Sequence, residues 1–345
     1  MAEHGDAGAA LAALPHVAQA AGIDGYSICP EGVVAAELKA ARRAGARLLC
    51  EGDAAYPPSL SDLSDAPPLI WAIGDTGLLA RPVIAIVGAR NASSLGTRMA
   101  RKLAADLGAA GYVTVSGLAR GVDTAVHAAT LATGTIAVVA GGVDTIYPTE
   151  NASLSDAIGK QGLRLSEMPM GMAPQARHFP ARNRIVSGVA RAVVVVEAAA
   201  RSGSLITART ALDQGREVLA VPGHPFDGRA AGCNMLLRDG ATLVRDAADV
   251  IEHLGPAPDR AATATVATDT PFAPPEPPEP PRRTFREASV LHSDILSRLT
   301  ASPVAEDQLI RDLGAAAHVV TPALVALELE GRIERRAGGM LTRMS

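Results

Sequence analysis

The chain has 345 residues, of which 48% are hydrophobic and 3% aromatic, and its formal net charge is −4. This length predicts two or three folded units, and the apolar content excludes a chain that is disordered throughout. The acidic balance excludes a protein that is basic over its whole surface, so a site for a polyanion must be a local concentration of positive charge.

Residues 1–78 are predicted to form a small helical N-terminal region and a lead-in. Residues 30–49 have the apolar spacing of a helix, which Gly45 ends. Residues 56–75 are rich in proline and predict turns before a short apolar segment at Leu69–Ile73.

Residues 79–255 alternate short β-branched runs with amphipathic helices. This alternation predicts βαβ units, and therefore an α/β fold with an extended Rossmann-like, doubly wound parallel sheet. The predicted strands are Val83–Val87, Tyr112–Val115, Thr135–Val139, Leu163–Leu165, Ala192–Glu197, Glu217–Val221 and Ala241–Val244. The predicted helices include Gly96–Leu107, Thr124–Ala132 and Ile206–Gln214. Glycines follow several strand ends, where sheets of this class bind their ligands.

A segment rich in Pro, Ala, Thr and Glu, residues 256–285, predicts an extended linker. Residues 286–345 then predict a C-terminal winged-helix domain, with three helices and a two-stranded wing. The three helices are expected at Ser289–Leu299, Ala305–Leu313 and Thr321–Gly331.

This last domain has seven basic and eight acidic residues, and its predicted recognition helix carries Glu328 and Glu330. A helix that enters a DNA groove is expected to be basic. We therefore expect the domain to contact protein, or to contact nucleic acid only through Arg335, Arg336 and Arg343 of the wing.

Two turns at predicted strand ends combine glycine with arginine. Gly88–Gly96 closes the first strand with Arg90 inside the turn, and Ser116–Asp123 closes the second strand with Gly117 and Arg120. The backbone N–H groups of such turns bind anions. Neither turn has a dinucleotide or Walker A fingerprint. Each arginine could contact a phosphate or could pair with an acid at the surface.

A local excess of positive charge surrounds the stretch RHFPARNRI, residues 177–185. From Arg164 to Arg216 the chain has eight arginines and three carboxylates, in a protein that is acidic overall. Arginine binds phosphate through two parallel hydrogen bonds, and an exposed aromatic ring beside cations stacks on bases. Phe179 could be such a stacking ring, or it could fill the core while the arginines cap a helix or pair with acids.

In their order along the chain, SGLARGVD, GGVDTIYP, HFPARNRIVSG, VVVVEAAARSGSLITAR and GCNMLLRDGA closely resemble the DprA/Smf family, the DNA-processing proteins of bacterial transformation. The resemblance covers about residues 56–254, and the tail resembles the winged-helix domain of many members. It implies a Rossmann-like domain that binds single-stranded DNA, a homodimer, recruitment of the RecA recombinase and no catalytic activity.

The resemblance also implies residue roles, with Arg90 on the DNA backbone and Phe179 against a base. The full set of candidate DNA-binding residues is Arg90, Ser116, Gly117, Arg120, Arg177, Phe179, Arg182, Asn183, Arg184, Ser202, Gly203, Ser204 and Asn234. Two positions depart from the family pattern: relatives often carry lysine where this chain has Ala176 and Thr242. The N-terminal region is short beside the sterile-alpha-motif-like domain of relatives, so only part of that domain is expected.

From the residues and the resemblance we predict a cytoplasmic protein that protects single-stranded DNA and helps to load RecA, with no cofactor. The cysteines, Cys29, Cys50 and Cys233, are unclustered, which fits a reducing compartment and no zinc site. Neither a signal peptide nor a membrane span is expected.

Two other functions stay open. One is an enzyme of the related phosphoribohydrolase group, whose PGGxGTxxE loop is nearest to Gly141–Pro148, with Asp144 but no glutamate before Glu150. The other is a transcriptional regulator that reads duplex DNA through the winged helix.

Overall fold

The computed structural model of the protein describes residues 5–257 and part of the C-terminal region: residues 295, 296, 299, 304, 305, 309, 313, 320, 324, 327, 328, 332–336 and 340–343. The chain divides into two compact units, residues 1–266 and 267–345. Beyond residue 257, the predicted linker lies outside the described residues. None of the described helices combines the length and the apolar character needed to cross a bilayer.

A nine-stranded sheet forms the centre of the first unit. Its strands are β1 (Arg47–Cys50), β2 (Leu69–Gly74), β3 (Val83–Gly88), β4 (Val113–Ser116), β5 (Thr135–Val138), β6 (Leu163–Ser166), β7 (Ala192–Val196), β8 (Glu217–Ala220) and β9 (Thr242–Leu243). The order is β1-β2-β6-β5-β4-β3-β7-β8-β9, and β3 to β9 are parallel. The predicted doubly wound α/β fold is confirmed. The order reverses between β3 and β7, where such sheets bind ligands.

Ten α-helices are described in this unit. They are α1 (Ala7–Ala20), α2 (Glu31–Ala44), α3 (Pro58–Ser61), α4 (Ser94–Ala109), α5 (Val122–Thr130), α6 (Ala152–Gln161), α7 (His178–Gly188), α8 (Gly203–Asp213), α9 (Ala231–Arg238) and α10 (Ala247–Leu254). Short 3-10 helices lie at Thr76–Ala80 and Thr149–Asn151. The stretch RHFPARNRI, residues 177–185, lies almost wholly within α7.

Both faces of the sheet are covered by helices, as the continuous apolar run of β3 indicates. Val83, Ala85 and Val87 of this strand contribute to a core shared with α7, α8 and α9. Ile84 and Ile86 point to the other face and belong to a core shared with α4, α5 and α10. The strand ends between these layers are therefore held from both sides.

The sheet begins earlier than the expected domain start at residue 79. Residues 1–78, predicted to be a helical region and a lead-in, contain β1 and β2, which pair antiparallel with each other, and β2 also pairs antiparallel with β6. The Nε1 of Trp71 donates to the Oε1 of Glu37 at 3.1 Å, which ties α2 to this edge. The strand β1 was not predicted from the sequence, because four residues between turn signals are too few to show the alternation of apolar and polar residues that marks a strand.

The second unit contains a three-stranded antiparallel sheet of β10 (Val304–Ala305), β12 (Met340–Arg343) and β11 (Ile333–Arg336), in that order. Among the described residues of this unit, those that are apolar and buried are Ile295, Leu296, Leu299, Leu309, Val320, Leu324, Leu327, Ile333 and Leu341. The pairing of β11 with β12 is the predicted wing. Most residues of the three predicted helices lie outside the described part of the chain.

Candidate nucleic-acid interface

A cleft of ≈ 570 Å³ lies over the carboxyl ends of the central strands. Its walls are the turns after β3, β4 and β7 together with the first turns of α7 and α8. The cationic residues that line it are Arg90, Arg182, Arg201 and Arg229. A smaller pocket between Arg90, Arg120, Tyr147 and Phe179 continues the cleft towards β5.

Arg90 and Phe179, which come from different turns of the chain, meet at the mouth of the cleft. The Cζ of Arg90 lies 5.2 Å from the centroid of the Phe179 ring, a cation–π contact. The ring of Tyr147 lies 5.8 Å from that of Phe179 at an interplanar angle of 54°. Phe179 is half-buried and Arg90 is exposed. Among residues 5–257, no carboxylate lies within ion-pair distance of Arg90.

Arg182 lies on the same face of α7 as Phe179 but points into the protein, with an exposed fraction of 6%. Its Nη1 donates to the carbonyl oxygens of Gly117 and Val138, and its Nε donates to the Oδ1 of Asn183. Burial lowers the pKa of Arg182 to about 10, which nearby Asp123 partly offsets. The guanidinium therefore stays charged at neutral pH, in the floor of the cleft.

Arg184 faces away from the cleft, because two residues along a helix correspond to about 200° of rotation. Its Nη2 donates to the Oε2 of Glu167, and its Nε lies 3.6 Å from the Oδ2 of Asp65. Arg184 is therefore an internal ion-pair residue in this structure. Arg184 was among the candidate DNA-binding residues, and its side chain is the clearest departure from that set.

The turn after β4 is partly closed to ligands. Ser116 is fully buried and its hydroxyl donates to the carbonyl of Ile86 at 2.7 Å, so it is no part of the cleft surface. The amide of Gly117 donates to the Oδ2 of Asp123 at 3.1 Å. Arg120 is exposed, with its Nη1 3.8 Å from the Oε1 of Glu150.

The remaining candidates divide between the cleft and its surroundings. Arg177 is exposed at the start of α7, and Asn183 lines the cleft. Ser202 caps α8, with its Oγ 2.7 Å from the Oγ of Ser204, and both line the cleft with Gly203. Asn234 does not line it: its amide clamps Gly223 through bonds of 3.2 and 3.0 Å to the N–H and carbonyl.

Sequence reasoning missed two cationic residues of the cleft, Arg201 and Arg229. Arg201 precedes the serine turn that was chosen, so its position beside that turn was a usable signal. Arg229 lies in the loop after β8, where its Nε is 3.1 Å from the Oδ1 of Asp227. Because this loop is distant in sequence from the other turns, no local pattern could link Arg229 to the cleft.

The start of α4, predicted as an anion seat, is filled by the carboxylate of Glu197. This carboxylate accepts from the backbone N–H of Ser93 at 2.8 Å and from the Ser93 hydroxyl. It also lies so close to Gly96 that a Cβ there would be 2.3 Å from the Glu197 Cδ. Glu197 has a φ of 56°, unusual for a side-chain-bearing residue. Glu197 lies 104 residues after Ser93 in the chain, so only the tertiary structure brings its carboxylate to the start of α4.

In the loop compared with the phosphoribohydrolase motif, Asp144 is exposed and one of its carboxylate oxygens is hydrogen-bonded. The Oδ1 of Asp144 accepts from the backbone N–H of Gly171 at 2.8 Å, which anchors the loop after β5 to the segment after β6. This contact gives Asp144 a structural role.

Comparison with known proteins identifies relatives over the same region. A family described as DNA recombination-mediator protein A matches residues 47–255. A DprA winged helix domain matches residues 273–339, and a DprA-like N-terminal HHH domain matches residues 1–40, where part of a sterile-alpha-motif-like domain was expected.

Individual relatives agree with these matches. The DNA processing protein DprA of Streptococcus pneumoniae is 46% identical over 201 residues, which cover 58% of this chain and 71% of that protein. The protein of the same name from Bacillus subtilis is 44% identical over 220 residues, 63% of this chain and 74% of the relative. A solved structure of DNA processing protein A from Helicobacter pylori, described for its single-stranded DNA binding mode, is 31% identical with a TM-score of 0.56. It covers 61% of this chain and 95% of its own.

Proposed function

Because the chain belongs to the DNA recombination-mediator protein A family, we propose that it binds single-stranded DNA in the cleft over the central strands. The observation that carries the proposal is the exposed Arg90 guanidinium beside the half-buried Phe179 ring. The Helicobacter pylori relative, whose structure is described for single-stranded DNA binding, supports it.

The proposed mechanism needs no base-specific contacts. Arg90 and Arg201 neutralise phosphates, which makes the affinity dependent on salt and indifferent to sequence. A base stacks on the Phe179 ring or on the outer plane of the Arg90 guanidinium, since both are planar π systems. A base held in this way is unavailable for pairing, so the site favours single strands over duplex.

The resemblance supplies the finer parts of the proposal: protection of single-stranded DNA, delivery of that DNA to RecA, a homodimer and a cytoplasmic location. The edge strand β9 supports self-association, because Leu243 of this strand is exposed and an open strand edge can pair with another chain. RecA filament formation on oligonucleotide coated with a single-strand-binding protein tests the delivery step, and light scattering tests the dimer.

Fluorescence anisotropy with a labelled thymidine oligonucleotide and a matched duplex tests the DNA site. We expect Arg90→Ala and Phe179→Ala each to weaken single-strand binding by at least about 1 kcal/mol, or about fivefold. Arg238→Ala is the matched control, because Arg238 is exposed, pairs with Asp239 and does not line the cleft. Unchanged affinity in both cleft variants would place the site elsewhere.

The same preparations address the other functions. Turnover of mononucleotides that is abolished by Asp144→Asn would favour the phosphoribohydrolase, and sequence-dependent duplex binding would favour the transcriptional regulator.

A further inference from the structure

The guanidinium of Arg182 joins three elements below the cleft. From the second turn of α7, its Nη1 lies 2.5 Å from the carbonyl oxygens of Gly117 and of Val138, which end β4 and β5. Its Nε donates to the Oδ1 of Asn183 at 3.2 Å. These bonds use the Nε and Nη1 donors, three of the five N–H groups of the guanidinium, and the residue is 6% exposed.

Gly117 lies in direct contact with this guanidinium. A Cβ at Gly117 would lie 2.3 Å from the Nη1 of Arg182 and 2.5 Å from its Cζ, so no larger residue fits while Arg182 holds its place. The glycine is required here for the close approach of a side chain, rather than for a left-handed backbone.

Asp123 secures the other side of the turn formed by residues 117–121. Its Oδ2 accepts from the amides of Gly117 at 3.1 Å and Ala119 at 3.2 Å. Burial raises the pKa of Asp123, and Arg182 and these two amides act in the opposite direction. Leu118, between the two amides, has a φ of 55°, a strained conformation that these contacts maintain.

The far end of this turn supports the backbone of Arg90. At Gly121, with a φ of 80°, a Cβ would lie 2.3 Å from the carbonyl oxygen of Ala89 and 2.6 Å from that of Arg90. The amide of Val122 donates to the carbonyl of Ala89 at 3.2 Å. Any shift of the turn is therefore transmitted to Arg90.

We propose that Arg182 is a positioning residue, which together with Asp123 holds the turn of residues 117–121 against Arg90 and does not itself bind phosphate. This inference rests on the proposed function and changes the role of Arg182, which was among the candidate DNA-binding residues. The ordering of the turn is a property of the protein without DNA, so it can be tested separately.

Charge-preserving variants separate positioning from phosphate contact. Lysine keeps the charge but loses the forked set of donors. We expect Arg182→Lys to weaken binding of a labelled thymidine oligonucleotide by about tenfold or more, whereas the matched Arg90→Lys loses at most about threefold, because a point charge still serves a phosphate. Binding of Arg182→Lys within threefold of the wild-type affinity would overturn the proposal.

The variant Asp123→Asn distinguishes the two roles considered for Arg182, because phosphate binding and positioning predict opposite changes in DNA affinity. If Arg182 binds phosphate, removing the neighbouring carboxylate frees it and strengthens binding. If Arg182 is a positioning residue, Asp123→Asn weakens binding by about tenfold, since the bonds that hold the turn to a carboxylate become weaker. Tighter binding by Asp123→Asn would overturn the proposal, even if the Arg182 variants fail to fold.

Amide hydrogen exchange measures the turn directly. We expect the amides of Gly117 and Ala119 to exchange at least about tenfold faster in Arg182→Lys and Asp123→Asn than in the wild type. A separate urea titration of each variant shows that the protein is still folded under the conditions of the exchange measurement. Unchanged exchange in both variants would contradict positioning. If the wild type does not bind the oligonucleotide, the proposed function fails, while the exchange rates still decide the role of Arg182.

Discussion

Single residues near the cleft show how buried polar groups hold the strand ends in place. His127 is fully buried in α5, where its Nδ1 lies 2.8 Å from the Oγ1 of Thr135 and its Nε2 accepts from the amide of Leu118 at 3.3 Å. Burial, and secondarily the charge of Arg182, lowers its pKa to about 3. The imidazole is therefore neutral near pH 7, and its role is to order the turn.

The buried His127 predicts a pH dependence of stability. Because its folded pKa of about 3 lies below the unfolded value of 6.5, the unfolded chain binds the proton first as the pH falls. The contribution of the neutral His127 to the free energy of unfolding is complete above pH 6.5. It is lost as the pH falls towards 3, by up to about 1.4 kcal/mol per pH unit. In urea titrations from pH 7.5 to 4.5, His127→Gln should show a shallower loss than wild type.

His224→Gln is the control for this measurement, because it makes the same substitution at an exposed histidine outside the core. If His127→Gln loses stability with pH as steeply as the wild type, carboxylates rather than this imidazole set the acid sensitivity.

At the level of single side chains, sequence reasoning identified residue types better than directions. The strand-end rule placed the Arg90 turn at the ligand edge of the sheet and the resemblance added Phe179, and the structure has the Arg90 Cζ 5.2 Å from the centroid of the Phe179 ring. The same reasoning could not tell that Arg182 and Arg184 point inwards, because their acceptors are Val138, Glu167 and other groups outside the motif. Directions of this kind depend on tertiary contacts, which no local pattern records.

At the level of elements, the rotational orientation of α7 about its axis determines which side chains of the arginine-rich stretch face the cleft. One face carries Phe179 and Arg182 towards the cleft and its floor, and Arg184 lies on the opposite side. The strands of the parallel part were predictable because they are apolar and flanked by glycine, whereas β1 was not. The strand β1 forms by pairing with β2, whose residues lie about 20 positions further along the chain, so a local pattern does not reveal it.

The close packing of α7 on α3 predicts the effect of an added methyl group. A Cβ at Gly188 would lie 2.6 Å from the Cδ2 of Leu60 and 2.7 Å from the Cδ1 of Leu63. Leu60 is fully buried and cannot yield to solvent. We expect Gly188→Ala to lower the free energy of unfolding by about 1–3 kcal/mol, measured in urea.

Gly32→Ala is the matched control in α2, since nothing lies within 4 Å of a Cβ at that position. There, alanine should be neutral or stabilising by up to about 1 kcal/mol, because it favours helix more than glycine does. Equal losses in both variants would mean that glycine itself, and not the contact with Leu60, is required at residue 188.

At the level of the whole molecule, an acidic chain places several arginines in one cleft at the carboxyl ends of its parallel strands. The net charge of −4 is spread over 345 residues, whereas Arg90, Arg201 and Arg229 converge on a single cleft. Long-range attraction of DNA is weak for such a protein, so binding depends on short-range contacts within the cleft. Salt screens these contacts, which are few in number and confined to the cleft.

The division into two units predicts that the cleft works without the winged-helix region. Every lining residue of the cleft falls between Val87 and Arg229, inside the first unit. A protein ending at residue 257 should therefore bind a short thymidine oligonucleotide within about threefold of the full chain, measured by anisotropy at matched salt. A tenfold loss would mean that residues 258–345 supply part of the DNA site. In that case the wing arginines, Arg335, Arg336 and Arg343, would be the first positions to replace.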